Sequence, residues 1–258
     1  MPHLSCYAKI QFDGTRFSGW QRQKTDRTVQ GEIERVLEQL TTLQTPVVAA
    51  GRTDAGVHAL AQCVSFRVPD HWTVGELQHA LNSLLPNDIW IETVGEVSPD
   101  FNARRSATSR RYRYIIGLDA AAHSPFRRGR EWTLSAQIDR TELQACAKTF
   151  LGKHDFRAFS ALDSTKPHFQ CTIQDATWHE RPEKKGIIFE VEADRFLHHM
   201  VRFMVGTMVD VGRGRRPIDD IETLLNEADN SNASPPAPPQ GLYLIGVSYP
   251  QLTVTADR

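Results

Sequence analysis

Runs of alternating apolar and polar residues, interleaved with runs of helical period, constrain this chain more than any other feature. Cys6, Ala8, Ile10 and Phe12 alternate with polar neighbours, the period-2 pattern of a strand with one buried face. Asp13-Gly14 follows as a turn signal. Val29, Ile33, Val36, Leu37 and Leu40 then fall on one face of a helix. Alternation returns over 62–68, with Val64, Phe66 and Val68 on one side. Thr73 and Glu76 have the spacing of a capping box ahead of Val74, Leu77, Leu81 and Leu84, and Pro86 follows that helix. Residues 89–94 predict a further strand.

The second half repeats the rhythm. Tyr112, Tyr114 and Ile116 alternate as a strand. Asp139 and Glu142 predict a second box-like cap before Leu143, Cys146, Ala147 and Phe150, with Gly152 as the stop. Ile187, Phe189, Val191 and Ala193 alternate. Leu197, Met200, Val201, Met204, Val205 and Met208 predict a helix with one apolar stripe. The segment DNSNASPPAPPQ (229–240) reads as an exposed loop, and a last strand is expected over 242–249, with Ile245, Val247 and Tyr249 on one face. A length of 258 residues fits one large domain or two of about 100–150. The pattern predicts an α+β fold of two similar α/β subdomains, 1–100 and 101–258. Their sheets are expected to be mixed and largely antiparallel, with helices on one face.

Composition closes off several classes. Hydrophobic residues at 40% and charged residues at 24% supply a core, so general disorder is not expected. No run approaches the roughly 18–20 apolar residues of a membrane helix. The segment MPHLSCYAKIQF lacks the pattern of a signal peptide. Cys6, Cys63, Cys146 and Cys171 form neither a disulfide framework nor a zinc pattern, so a reduced, cytoplasmic protein is expected.

A net charge of -1 argues against a nucleic-acid protein only while its distribution is ignored. Residues 104–130 hold eight arginines (104, 105, 110, 111, 113, 127, 128 and 130), no lysine and one acid, Asp119, a local balance of 8 − 1 = +7. Residues 195–216 hold five arginines (195, 202, 213, 215 and 216) and Asp210, or 5 − 1 = +4. The remainder sums to −1 − 7 − 4 = −12. Arginine forks match phosphate oxygens and stack on bases, so two arginine-only blocks predict one basic surface on an acidic body. Solvated faces and salt-bridge partners are the alternative reading of the same arginines.

The densest chemistry lies in GRTDAGVHALAQ, 51–62. Gly51 and Gly56 bracket Arg52, Thr53 and Asp54, so backbone there can approach a ligand closely. Asp54 is a nucleophile or general base kept ionised by Arg52, or else it caps a turn and pairs with Arg52 at the surface. His198 and His199 have no Glu or Cys at ligand spacing, so no metal site is expected.

GRTDAGVHA closely resembles the central motif of the TruA-type tRNA pseudouridine synthases. FDGTRFSGWQ (12–21) is similar to that family's first loop, and NARRSATSRRYRYII (102–116) to its second motif. HDFRAFS (154–160), RFLHHMVRFMVGTMVDVGRG (195–214) and APPQGLYLIGVSYP (237–250) resemble later blocks, all in family order. Ala61 departs from a common glycine, and Arg157 and Ala158 from small polar residues.

The resemblance implies isomerisation of uridine to pseudouridine at positions 38, 39 and 40 in the anticodon stem-loop of tRNA. It also implies a pseudouridine synthase fold with a basic cleft, a homodimer, and no cofactor. A redox-neutral reaction suits a sequence without a nucleotide-binding glycine loop or metal cluster. It implies Asp54 as the essential carboxylate, Arg202 as its cationic partner, and Tyr112 as the residue that stacks on the uracil or relays the C5 proton. Tyr114 fits a core tyrosine better, and His58 a structural role. Arg52, Arg104, Arg110 and Arg111 are expected to grip phosphates beside an extruded nucleotide. Trp20 and Phe17 stack on RNA or anchor their loop; Leu242 lines the base pocket or packs in the core. Two rivals remain: an RNA-binding module without activity, against which Asp54, Tyr112 and Arg202 speak, and an aspartyl-nucleophile hydrolase or phosphotransferase, which would want an acidic metal cluster.

Overall fold

A computed structural model describes residues 3–161, 168–226 and 231–250. The chain forms two compact units: one reaches Thr108 and includes the chain from Leu244 onward, and the other is Ser109–Tyr243. The last strand, expected to lie wholly in the second subdomain, thus runs into the first unit.

In the first unit β1 (His3–Phe12) lies between β3 (His58–Pro69) and β4 (Ile89–Glu96), antiparallel to both. The short β2 (Val48–Ala49) pairs with β3. The alternation in β1 is realised: Cys6, Ala8 and Ile10 are fully buried, and Ala8 lies across from Val64. Its other face is also covered, because Tyr7 packs with Ala50, Cys63 and Val97, flanked by Phe101, Val247 and Tyr249. Helix α1 (Val29–Thr41) starts at Thr28, whose hydroxyl accepts from Gly31 N–H, and buries Val29, Ile33, Val36 and Leu37. Helix α2 (Val74–Leu84) carries the expected capping box, with Thr73 and Glu76 each accepting from the other's backbone N–H. It packs on α1 and β4.

In the second unit β5 (Ser109–Gly117), β9 (Gly186–Ala193), β8 (Gln170–Glu180) and β7 (Gly152–Asp155) form an antiparallel series, with the short β6 (Trp132–Thr133) parallel to β5. Strand β8 carries no strict alternation in its sequence. A register shift between Ile173 and Asp175 moves the buried positions from Cys171 and Ile173 to Ala176, which erases strict alternation. Helix α3 (Arg140–Thr149) is capped by the Asp139 carboxylate, which accepts from the N–H groups of Thr141 and Glu142.

Helix α4 (Met200–Gly212) starts three residues later than the apolar spacing predicts, after His199 in the left-handed region at φ 62°. It is buried around most of its circumference rather than along one stripe. Helix α3 packs against it, and Trp178 Nε1 lies 3.3 Å from Met208 Sδ. The proline-rich segment supplies another neighbour. Expected as an exposed loop, it is instead partly buried at Ser234 and Ala237. A Cβ at Gly206 would lie 2.2 Å from the Pro235 carbonyl oxygen, so glycine there lets the segment run close along the helix. Prolines leave few backbone donors to satisfy, which makes such burial inexpensive. Residues 229 and 230 of that segment lie outside the described residues. A short helix α5 (Asp220–Asn226) and β10 (Leu242–Ser248) complete the chain.

All four cysteines are buried and unbridged. Burial pushes the Cys6 and Cys146 thiols up to about 12, so both stay protonated and unreactive.

Candidate active site

Asp54 sits half-buried on the loop between β2 and β3, and Arg52 beside it is exposed. The loop is held by backbone contacts to the segment after β1. Trp20 N–H donates to the Thr53 carbonyl at 3.0 Å, and Gly56 N–H to the Phe17 carbonyl at 3.3 Å. Within the loop, Val57 N–H donates to the Asp54 carbonyl at 3.2 Å. Two glycines permit this approach. A Cβ at Gly14 would lie 2.0 Å from the Val57 carbonyl oxygen, and Gly19, at φ +92°, would place one 2.9 Å from that of Thr53. The loop and the 12–21 segment therefore form one backbone-to-backbone unit, and Asp54 stands on it.

Five side chains fix that unit. His58 is buried and its Nδ1 accepts from Gly14 N–H at 3.0 Å, which bears out its structural reading. Gln62, fully buried, donates from Nε2 to the Gly51 carbonyl at 2.7 Å. Trp20 is 2% and Phe17 4% exposed, and Trp20 packs against Phe12. They anchor the loop, and an indole with so little surface has no face to offer a base, which corrects its assignment as a substrate-binding residue. Arg27 was not singled out from sequence. Its guanidinium lies 4.2 Å over Phe17, forks onto Asp88 at 2.8 and 2.9 Å, and reaches Glu32 at 2.9 Å. The two hydrogen bonds to Asp88, then the one to Glu32, raise its pKa further above the ordinary arginine value, burial opposing. The only sequence signal was an arginine immediately before a helix cap.

In the second unit Tyr112 and Tyr114 point to the same side of β5. Tyr114 is fully buried and donates its hydroxyl proton to the Pro238 carbonyl at 2.7 Å, the core role expected of it. Burial drives its pKa well up, against the opposing charge of Arg202. Tyr112 is 7% exposed and meets Phe196 edge-on with centroids 5.0 Å apart. Arg202 is half-buried on α4, and its Nε donates to the Ala237 carbonyl at 2.7 Å, while Ala237 N–H donates to the Arg202 carbonyl at 2.9 Å. The arginine is thus fixed at its Nε by the proline-rich segment. Leu242 is buried where β10 begins.

The arginine blocks divide in two. Arg111 and Arg113 both pair with Glu190, at 2.8 and 2.6 Å, and Arg111 also lies 3.6 Å from Asp175. Arg110 donates to the Asp194 carbonyl at 2.9 Å. Arg215 and Arg216 pair with Asp210 and Asp220. Arg111, Arg113, Arg215 and Arg216 thus each have an acidic partner and Arg110 a backbone carbonyl, whereas Arg104, Arg105, Arg128 and Arg130 are exposed. Burial raises the Glu190 pKa, but hydrogen bonds and charge from Arg113 and Arg111 outweigh it and leave the carboxyl below its ordinary value. A depressed carboxylate stabilises the fold above its unfolded pKa and loses that contribution as pH falls through the folded value. Glu190→Gln is therefore expected to flatten the acid limb of a thermal-unfolding series below about pH 4.3, the ordinary glutamate value. An acid limb as steep as the parent's would remove Glu190 as its source.

Among the described residues no helix is long and apolar enough to cross a membrane. The profile of the tRNA pseudouridine synthase family matches residues 8–104 and 146–250. The chain is similar to "tRNA pseudouridine synthase A" of Acetivibrio thermocellus, 40% identical over 93% of this chain and 97% of that one. It is 38% identical to the protein of the same name from Methylobacterium nodulans, over 96% of each. The counterpart from Idiomarina loihiensis is 40% identical, over 94% of this chain and 92% of that one.

Proposed function

Because the chain belongs to the tRNA pseudouridine synthase family and is an enzyme that isomerises uridine in tRNA, we propose that its targets are uridines 38, 39 and 40 of the anticodon stem-loop, with Asp54 as the essential carboxylate and no cofactor. In the reaction the bond from the ribose C1′ to uracil N1 breaks and a bond from C1′ to C5 forms. The C5 proton leaves and N1 ends protonated, so atoms and electrons balance without an oxidant. An ionised Asp54 fits attack on C1′, attack on the uracil ring, or assistance to an elimination. The observation that carries the reading is the mounting of Asp54: a half-buried carboxylate on a loop whose backbone is locked at Thr53, Asp54 and Gly56. Rigid placement of a reacting group is what such catalysis requires. Tyr112 and Arg202 serve the reaction with it, Leu242 lines the base pocket, and Arg52, Arg104, Arg110 and Arg111 contact phosphates. The enzyme works in the cytoplasm as a homodimer.

The test is release of tritium from C5-labelled uridine in unmodified tRNA, run with and without a chelator. Release in both supports the reading. No release by protein that binds the tRNA assigns it to the non-catalytic module, and release abolished by the chelator sinks the cofactor-free part. If the arginines meet phosphates, affinity falls steeply as salt rises. Replacing Arg110 and Arg111 by Ala is expected to lower the slope of log affinity against log salt, by up to about one per lost phosphate contact. An unchanged slope removes both from the RNA surface.

A further inference from the structure

Phe126 is 88% exposed, the largest exposure of any large apolar side chain among the described residues. Isolated exposed aromatics are common and need no explanation. The mounting of this one sets it apart. It stands in Ser124-Pro125-Phe126-Arg127-Arg128, between β5 and β6, on a loop stapled from below. Arg127 forks onto Asp119 at 2.7 and 2.8 Å and lies 2.8 Å from Glu131. Arg181 reaches the same Glu131, itself 3% exposed, at 2.5 Å. The hydrogen bonds from Arg127 hold the Asp119 carboxyl below the usual carboxylate range. Above the staple, the N–H groups of Arg127 and Arg128 both donate to the Ser124 carbonyl, and Tyr243 OH donates to that of Arg130 at 2.6 Å. Gly117 belongs to the same device, because a Cβ there would lie 2.5 Å from Glu131 Oε1.

The staple uses the loop's acids on Arg127. Pro125, Phe126, Arg128 and Arg130 remain exposed, and the Arg128 guanidinium has no acidic partner among the described residues. A rigidly carried aromatic ring beside an arginine fork matches the requirements of an unpaired nucleobase with its phosphate: a flat apolar face for the base and a cation for the backbone. A second copy of the chain fits less well. A two-fold contact centred on Phe126 would bring Arg128 of both copies together, placing like charges in a desolvated patch.

We propose that Phe126 stacks on an unpaired base of the tRNA while Arg128 meets the adjoining phosphate, a contact that rests on the tRNA reading above and lies outside the Asp54 loop. The probe is full-length unmodified tRNA, and affinity is measured over a salt series. Phe126→Ala is expected to weaken binding roughly tenfold, within the range for loss of a stacking aromatic, and to leave the salt slope in place. Phe126→Leu keeps apolar bulk without a π face and should bind like the alanine variant, whereas Phe126→Tyr should bind like the parent. Arg128→Ala should lower the slope by about one. With the side chain almost wholly in solvent, all three Phe126 variants should melt within a degree or two of the parent.

Affinity within twofold of the parent for Phe126→Ala, or full recovery by leucine, overturns the stacking contact. So does a shift in oligomeric state by light scattering that accounts for the lost affinity, which would assign Phe126 to a contact between copies. Tritium release separates this proposal from the functional one. Parent protein that binds tRNA in a Phe126-dependent way yet releases no tritium leaves the stack standing and sinks the reaction. Release that persists with unaltered tRNA affinity in Phe126→Ala does the reverse.

Discussion

Asp54→Asn protein is expected to fold and bind tRNA as the parent does while losing at least about a thousandfold in tritium release, the scale on which removal of an essential nucleophile or base falls. Asparagine keeps the shape of aspartate and removes only the charge and the nucleophilic or basic oxygen. The backbone bonds that hold this loop, Trp20 N–H to the Thr53 carbonyl and Val57 N–H to the Asp54 carbonyl, do not involve the carboxylate. Melting is expected to change by the ordinary amount for a point substitution, about 0.5–3 kcal/mol, and release is therefore read per folded molecule. Asp54→Glu gives a second reading of the same site. It retains the charge but displaces the carboxylate by one methylene, and a misplacement of about 1 Å already costs on the order of a hundredfold. Release within tenfold of the parent for Asp54→Asn would show that the carboxylate is dispensable. Loss of tRNA binding in step with loss of release would make Asp54 a binding residue instead.

Local rules read from sequence succeeded where structure depends on near neighbours. The Thr73–Glu76 box, the buried face of α1 and the alternation of β1 and β9 all rest on residues within a few positions of each other. Three features escaped because their causes are distant or irregular. Strand β8 is hidden by its bulge. The burial of Ser234 and Ala237 depends on Gly206, about thirty residues away, lacking a Cβ. Arginine pairing was invisible for the same reason: Glu190 lies far along the chain from Arg111 and Arg113 but beside them across the β5–β9 ladder. The +7 tally therefore overstates the free positive charge of 104–130. The motif 51–62 was legible as chemistry, whereas the mounting of its aspartate was not, since that needs the 12–21 segment brought against it.

That mounting supplies the other large effect. Gly14→Ala is expected to destabilise the first unit by about 3 kcal/mol, the upper end of the usual cost of overpacking. The same change should depress tritium release well beyond the fraction unfolded. The new methyl would lie 2.0 Å from the Val57 carbonyl oxygen and 2.5 Å from its carbon. Both are backbone atoms, so no side-chain rotation relieves the clash. Either the 12–21 segment or the Asp54 loop has to move. Movement of either strains the hydrogen bond from Gly14 N–H to His58 Nδ1 and the two bonds that join Trp20 to Thr53 and Gly56 to Phe17. Gly129→Ala is the matched control, since a Cβ there meets nothing within 4 Å and its φ is not positive. It should be neutral or raise stability by up to about 1 kcal/mol through the unfolded chain. Equal melting and equal release for Gly14→Ala and the parent would mean that the two segments are not coupled through this contact. A loss of stability with full release per folded molecule would separate the clamp from the chemistry, leaving Asp54 placed by its own loop alone.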